Sequence, residues 1–304
     1  MARDLISDEA RTASWAGRLA LGFFGLAGVT YILIVLGALV RAHGAGLACP
    51  DWPLCFGAVI PQFNFEIAFE WSHRVLAGGV GLVFLALAIL TLRLPGLGRR
   101  MRSGLLVAGL LLAAQVVLGG LTVLELLAAW TVTSHLVTGN AFALSLVFLA
   151  RRLARLSTGD SSPPVADSSQ RAVVSLAGAL LATQIVLGGL VSSNYAGLAC
   201  PDWPTCMNGA FVPTWTGIQG LHVLHRFVGY SVVLAIAAAA WRARSHPGSR
   251  RWLEVATVFA LAQVGVGVAN VLLRLPVEIT ALHSALAAGL VCSIGVSVRE
   301  VWRR

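Results

Sequence analysis

Four histidines recur at matched positions in this chain of 304 residues, and each lies near the start of a long apolar stretch. Ionisable side chains inside a membrane are costly and are usually functional. Two imidazoles facing each other across a helical bundle form the axial ligand set of a bis-histidine haem. The pattern therefore favours two haem sites over polar contacts between helices, with the ligands His73, His135, His225 and His283.

Other histidines and other metals are weaker candidates. A zinc site is disfavoured, because each half of the chain offers no third intramembrane ligand at a suitable spacing. His43 falls in a loop between apolar stretches, as does His246. We expect both of these side chains to be solvated.

One position beside the histidines differs between the two halves. Residues 70–74 read EWSHR and residues 222–226 read HVLHR, so Glu70 corresponds to His222. Residues three apart share a helix face, which predicts that Glu70 lies beside His73 over the same cavity. A carboxylate there can act as a general base or stabilise a developing cation. An interfacial glutamate in water is the alternative, but the asymmetry suggests chemistry in one half and electron transfer in the other.

An arginine directly follows a ligand candidate in each half. The rigid fork of a guanidinium matches a carboxylate, so Arg74 and Arg226 can each hold a haem propionate. Arg41, at the end of the first apolar stretch, is a further candidate. Snorkelling of the side chain to the membrane interface is the competing interpretation for each of them.

Two C-x5-C pairs lie in the loops that precede the second and sixth apolar stretches, Cys49–Cys55 and Cys200–Cys206. The intervening Pro-Asp-Trp-Pro predicts a tight turn that brings the sulfurs together. Outside the cytoplasm such a disulfide can persist. For the first pair a structural and a redox role both stay open, whereas the second favours a structural staple.

The composition places these residues in a membrane protein. Hydrophobic residues make up 57% of the chain, charged residues 12%, and the mean hydropathy is +0.81. Soluble domains carry about 25% charge, so an ordinary soluble enzyme and a disordered chain are both excluded. Stretches of about 20 apolar residues cross a bilayer as helices. We predict eight, at 20–41, 72–92, 104–123, 131–150, 172–192, 222–241, 252–271 and 279–298.

The basic residues indicate how the chain is oriented. All 22 are arginines, and eighteen of them fall on one side of the predicted membrane. The positive-inside rule then places both termini in the cytoplasm and the cysteine loops on the outer face. Because the arginines occur in short runs between spans, they predict topology and no nucleic-acid binding.

An internal repeat predicts the architecture. Residues 46–55 read GLACPDWPLC and residues 197–206 read GLACPDWPTC, an offset of 151. Four helices per half give both halves the same orientation, as in parallel repeats about an axis along the membrane normal. We therefore predict an all-α integral membrane protein of two homologous four-helix bundles. The first is 1–156 and the second 171–304, joined by a polar cytoplasmic linker at 157–170.

Taken together, EWSHR on span two, SHLVTGN on span four, HVLHR on span six, LHSALA on span eight and the cysteine pairs resemble the haem A synthase family. The resemblance covers nearly the whole chain. It implies a membrane oxidoreductase that oxidises a methyl group of haem O to a formyl group by successive hydroxylations. The product, haem A, serves terminal oxidases.

Carried over by position, the resemblance implies that His73 and His135 bracket the substrate haem, with Glu70 catalytic. His225 and His283 would hold a resident haem B. It also implies the cell membrane as the location and a haem O synthase as delivery partner, and it leaves room for a homo-oligomer. The first cysteine pair matches one that the family links to function, whereas the second pair occurs only in some members.

Two other classes of protein compete with this interpretation. A dihaem b-type cytochrome carrying electrons between quinol and an outer acceptor would use the same four histidines, but it leaves the Glu70 asymmetry unexplained. A transporter with parallel repeats would explain the duplication, but not four histidines at one depth.

Overall fold

The computed structural model describes residues 2–159 and 165–303, with side chains from Arg11 onward. Within these ranges the chain is helical and has no β-strand, apart from two isolated bridges in the cysteine loops. A short 3-10 helix precedes the second cysteine loop, at Ala196–Leu198. The long helices are α1 Ala2–Ala42, α2 Phe65–Arg93, α3 Leu97–Leu124, α4 Ala129–Thr158, α5 Ser168–Ser193, α6 Gly217–Arg242, α7 Pro247–Leu272 and α8 Val277–Val301.

All eight helices are long and apolar enough to cross a membrane, which confirms the eight predicted spans. They offer 25 to 32 residues each, with α1 counted over Arg11–Ala42, against the roughly 20 that a bilayer needs. Large apolar side chains are exposed along them, for example Leu21, Leu82 and Leu234 at more than 70%. Such surfaces suit lipid, so this is a multi-pass membrane protein.

The segment predicted as a linker, 157–170, is shorter than expected. Helix α4 continues to Thr158, and α5 already begins at Ser168. The start of α5 is held by a capping box, in which Asp167 accepts from the Gln170 amide at 2.8 Å. Residues 160–164 of the predicted linker lie outside the described part of the chain.

Two apolar cores lie in different parts of the chain. One cluster belongs to α1–α4 and includes Phe23, Phe84 and Met101. The other is formed mainly by α5–α8 and includes Ile236 and Leu253. Between these sets, α1 packs against α8, α4 against α5, and α4 against α8. The internal repeat relates α1 to α5 and α4 to α8. The contact of α1 with α8 is therefore the repeat equivalent of the contact of α5 with α4.

All four even-numbered helices begin at the same end of the molecule, where the two cysteine loops lie. We call it the cysteine-loop end; it carries residues 43–64 and 194–216. A residue near the start of α2, α4, α6 or α8 is therefore close to this end. The fold thus gathers the histidines and the cysteine loops on one side.

Candidate functional site

The four candidate ligands lie at a common depth below the cysteine-loop end. His73 and His225 are each the ninth residue of their helices, α2 and α6. His135 and His283 are each the seventh residue of α4 and α8. At 1.5 Å per residue, a difference of two positions is about 3 Å of depth, slightly more than half a helical turn. The four histidines therefore lie at nearly the same depth, as predicted.

The histidines also meet in the predicted pairs. His73 is close enough to His135 to interact electrostatically, and His225 is similarly close to His283. The helices that carry each pair do not pack closely on one another: neither α2 with α4 nor α6 with α8 is among the main helix contacts. Each pair thus faces across its bundle, with the other two helices as walls.

Each imidazole rests against a glycine of the preceding helix. A β-carbon built on any of these glycines would lie 3.1–3.3 Å from the imidazole Cε1. Only glycine leaves room for the ring at this separation, so the helix backbone fixes one edge of the imidazole. The four pairs are Gly37 with His73, Gly119 with His135, Gly188 with His225 and Gly267 with His283.

The Nδ1 atom is buried without a hydrogen-bond partner in all four imidazoles. Nδ1 lies on the glycine side, 3.6–3.9 Å from the built β-carbon. Nε2 is not among the buried unpaired atoms in any of the four rings. Polar atoms are rarely left buried and unpaired, and imidazole nitrogens are common haem ligands. The four side chains therefore fit a haem group, with their imidazole nitrogens as the candidate ligands of its iron.

Glutamines one helical turn before the glycine support two of the histidines. Gln115 donates from Nε2 to the His135 carbonyl at 3.0 Å. Gln184 donates to the His225 carbonyl, also at 3.0 Å, and its Nε2 lies 3.5 Å from the imidazole Nε2. Gln263 stands at the matching position of α7, with its Oε1 buried and unpaired.

These glycines and glutamines are site residues that the sequence analysis missed. The signal was present in the repeated segments QVVLGGL at 115–121 and QIVLGGL at 184–190. Both segments contain the glutamine and the glycine that contact the following helix. Small residues at helix interfaces are common in membranes, so the pattern alone does not distinguish packing from ring placement.

Glu70 is tied to the first cysteine loop. Its side chain is buried, at 4% exposure. Oε2 accepts from the Cys49 amide at 2.8 Å, and Oε1 accepts from the Arg74 guanidinium at 2.5 Å. The interfacial alternative, a glutamate in water, is therefore wrong. The carboxylate thus contacts the backbone of a disulfide cysteine, and Glu70 lies about one turn before His73 on α2.

Arg74 joins the same loop through backbone carbonyls. Its Nη1 donates to the Asp51 and Leu54 carbonyls at 2.6 and 2.5 Å, and Nη2 donates to the Cys49 carbonyl at 3.0 Å. Together with Glu70, these bonds fasten the loop to α2. The role of Arg74 toward a haem propionate stays a prediction.

The second loop is fastened in a related way, but with different chemistry at one position. Arg226 donates to the Thr205 and Cys200 carbonyls at 2.9 and 2.8 Å; its role toward a propionate also stays a prediction. His222, buried at 4% exposure, makes a 2.8 Å hydrogen bond between Nδ1 and the Ala196 carbonyl. The carboxylate in one half thus accepts from an amide, whereas the imidazole in the other donates to a carbonyl.

Both predicted cysteine pairs are disulfide-bonded in the structure, Cys49 with Cys55 and Cys200 with Cys206. All four cysteines are buried. In the first loop Trp52 lies over Gly120 of α3, where a built β-carbon would be 3.1 Å from the indole ring. The first loop therefore covers the end of the bundle that contains Glu70.

Asp51 organises the tip of the first loop. Its carboxylate accepts from the Gly57 amide at 2.8 Å and from the Phe56 amide at 2.6 Å. These amides, with Gly57 the larger contribution, and the Arg74 guanidinium hold the pKa of Asp51 below its usual range. An ionised carboxylate therefore belongs to the folded loop.

Three residues depart from their predicted surroundings. Arg41 does not point to a free surface: it donates to Oγ and the carbonyl of Ser192 at 2.9 and 2.6 Å. His43 packs against Phe65, with ring centroids 5.1 Å apart. His246 is 3% exposed and caps α7 by accepting from the Ser249 amide. The prediction of a solvated side chain is therefore wrong for His246, because the adjoining helices cover this loop residue, whereas His43 stays partly exposed.

Comparison with known proteins gives one family. The model of the cytochrome oxidase assembly protein family matches residues 21–294. A heme A synthase of Shewanella oneidensis is 29% identical over 96% of this chain and 97% of its own length. A heme A synthase of Halalkalibacterium halodurans is 30% identical over 84% and 88%, and one of Methylorubrum extorquens is 30% identical over 93% and 86%.

The match therefore spans nearly all of the eight helices, both cysteine loops and all four candidate ligands. A family model that covers this much of a chain defines its membership. This chain belongs to the cytochrome oxidase assembly protein family.

Proposed function

We propose that this protein is a haem A synthase, an oxidoreductase that converts a methyl group of haem O to a formyl group by successive hydroxylations. The relatives named heme A synthase support this activity, since they align over most of both chains. The structural observation that carries the proposal is the buried Glu70, one turn from His73 and present in only one of two otherwise equivalent sites.

In this proposal the two halves have different tasks. The first half binds the substrate: His73 and His135 hold haem O between α2 and α4, and the four-electron oxidation of its methyl carbon takes place there. The second half holds haem B between His225 and His283. When bound, this haem supplies one-electron transfer. The common depth of the two pairs would place both haems near the cysteine-loop end.

Glu70 is the group that acts on the substrate in this scheme. Its Oε1 lies 2.5 Å from the Arg74 guanidinium, and the two groups form a charge-assisted hydrogen bond. A buried negative charge can stabilise positive charge that develops on the substrate, or accept a proton that leaves the carbon under oxidation. The disulfide loop holds this carboxylate through the Cys49 amide and covers the site from water. His222 lacks a negative charge, so the second half cannot perform the same step.

We also propose a location and partners for the protein. The arginine distribution supports a cell-membrane protein with both termini in the cytoplasm and the cysteine loops outside. A haem O synthase would deliver the hydrophobic substrate. Self-association is compatible with the fold, because many apolar side chains face outward.

The decisive experiment is co-expression with a haem O synthase in a host that makes no haem A. The total haem is extracted and its mass measured. A species of formyl mass, or its hydroxylated precursor, is expected only when both proteins are present. Unchanged haem O beside bound haem B would contradict the enzyme and favour the dihaem electron carrier. Absence of any haem absorption from the purified protein would overturn both functions.

A further inference from the structure

Arginines surround one buried carboxylate at the end of the molecule opposite the cysteine loops. Glu300, in the last turn of α8, is only 2% exposed. It accepts from Arg151 of α4 at 3.0 Å, from Arg155 of α4, and from Arg303 at 3.0 Å. Three cations thus share a single carboxylate where α4 of the first half meets α8 of the second.

Two more arginines belong to the same cluster but form no ion pair with the described residues, Arg152 and Arg299. The guanidinium of Arg299 lies 4.6 Å above the ring of Phe148. It is within electrostatic range of three arginines and of the carboxylate, namely Arg155, Arg152, Arg151 and Glu300. Both unpaired side chains are partly exposed, so an external ligand can reach them.

The charges of this cluster do not balance. Among the described side chains, five arginines and one glutamate leave four positive charges. The carboxyl ends of α4 and α8 contribute about half a negative charge each, so about three positive charges remain. In addition, Nε of Arg151 is buried without a partner. Such an excess of positive charge beside an apolar surface favours the binding of an anion.

From this imbalance we infer a binding site for a phosphate group at Arg152 and Arg299, of the kind carried by the headgroup of an anionic phospholipid. Guanidinium groups match phosphate oxygens with paired hydrogen bonds. Basic pockets between membrane helices on the cytoplasmic side bind anionic headgroups. Arg151 and Arg155 are already engaged by Glu300, which leaves the other two to take the ligand.

The position of the site favours a lipid as the source of the phosphate. Phe148 lies one turn deeper on α4 than Arg152, so an acyl chain would continue along apolar helix surface. The ligand would touch α4 and α8 at once, and thus join the two halves of the chain.

The test is lipid binding to the purified, delipidated protein, measured by native mass spectrometry. The probes are a phosphatidylglycerol and a phosphatidylcholine with identical acyl chains. We expect one phosphatidylglycerol per chain at concentrations where phosphatidylcholine does not bind. Equal binding of the two lipids would overturn the site.

A matched pair of double variants separates a site from general charge attraction. R152Q/R299Q removes the two proposed ligands, whereas R99Q/R100Q removes two exposed arginines from the same end of the molecule. At about fivefold per arginine, the first variant should bind phosphatidylglycerol about 25-fold more weakly. The second should stay within about twofold of the unmodified protein. Equal losses in both variants, or no loss in the first, would contradict the inference.

Further measurements address folding and the identity of the ligand. R152K/R299K keeps the positive charges but lacks the planar guanidinium groups, so it should bind phosphatidylglycerol with intermediate affinity. Size-exclusion profiles of all variants establish that they are folded.

Inorganic phosphate is titrated against the lipid complex. Displacement only at millimolar phosphate supports a lipid site. Displacement at micromolar phosphate supports the same phosphate site with a soluble ligand. If neither phosphate nor phosphatidylglycerol binds, the site does not exist.

Discussion

Arg41 at the end of α1 donates two hydrogen bonds to Ser192 near the end of α5, and these residues are repeat equivalents. They are 151 residues apart, the same offset that separates the two cysteine motifs. Two equivalent positions of a two-fold arrangement can touch only beside its axis. This contact therefore marks where the halves meet at the cysteine-loop end. Arg41 is a cationic donor and Ser192 is its acceptor. The two halves have therefore diverged in sequence at the position where they contact each other.

Charge at position 70 should be essential for the oxidation. In Glu70→Gln the amide oxygen can still accept from the Cys49 amide, so the loop stays in place while the negative charge is lost. We expect haem content to be unchanged and formation of the formyl and hydroxylated products to fall by about 100-fold or more. Mass analysis of extracted haem measures both quantities.

Glu66→Gln, one turn earlier on α2 and exposed, is the matched control and should keep normal product yield. A normal yield from the Glu70 variant would remove this carboxylate from the mechanism.

Loss of either second-half ligand should empty the resident haem site. We expect His225→Ala and His283→Ala each to lose most of the low-spin haem spectrum, because a single axial imidazole holds the iron weakly and in a different spin state. Optical spectra of the purified protein give the result. His43→Ala, whose ring packs on Phe65, serves as the control. A full low-spin spectrum in both ligand variants would disprove the assignment.

The glycine behind each imidazole should control ring position. In Gly267→Ala the new methyl group would lie 3.2 Å from Cε1 of His283, so the ring must shift. Overpacking of this kind costs about 1–3 kcal/mol, and we expect about tenfold weaker retention of haem. The dissociation of haem to an acceptor protein measures it.

Gly265→Ala, two residues away on the same helix, adds its methyl group where no atom lies within 4 Å. This control should retain haem normally. Equal behaviour of the two variants would show that the close approach of Gly267 has no role in holding the ring.

The first cysteine loop should loosen in acid through Asp51. The Gly57 and Phe56 amides lower the pKa of this carboxyl in the folded loop. The stabilisation is therefore fully present above the ordinary carboxyl pKa of 3.8 and is lost as the pH falls through the lowered pKa of the folded loop. Hydrogen-exchange protection of the loop amides should be constant from pH 7 to about 5 and decline below about 4.

In Asp51→Asn this decline should disappear, since the side chain no longer titrates. The repeat-related Asp202→Asn should leave the first loop unchanged. A decline of equal size in the Asp51 variant would assign the acid sensitivity to another group.

The amino-acid sequence determined the elements of this protein and their order. Crossing a bilayer requires an apolar stretch of sufficient length, and this is a local property of composition that can be read without tertiary contacts. The repeat and the spacing within each helix likewise placed the four histidines at one depth, because depth along a helix follows from residue number. The disulfide pairs were readable for the same reason: only a short turn separates their cysteines.

The tertiary structure decided which side chains meet across helices. The approach of Gly37 to His73, the bond from the Cys49 amide to Glu70 and the contact of Arg41 with Ser192 all depend on how helices rotate and pack. These contacts arise from the packing of all the helices, so no local sequence pattern predicts them. The burial of His246 was missed for this reason: its loop position suggested water, but the neighbouring helices enclose it.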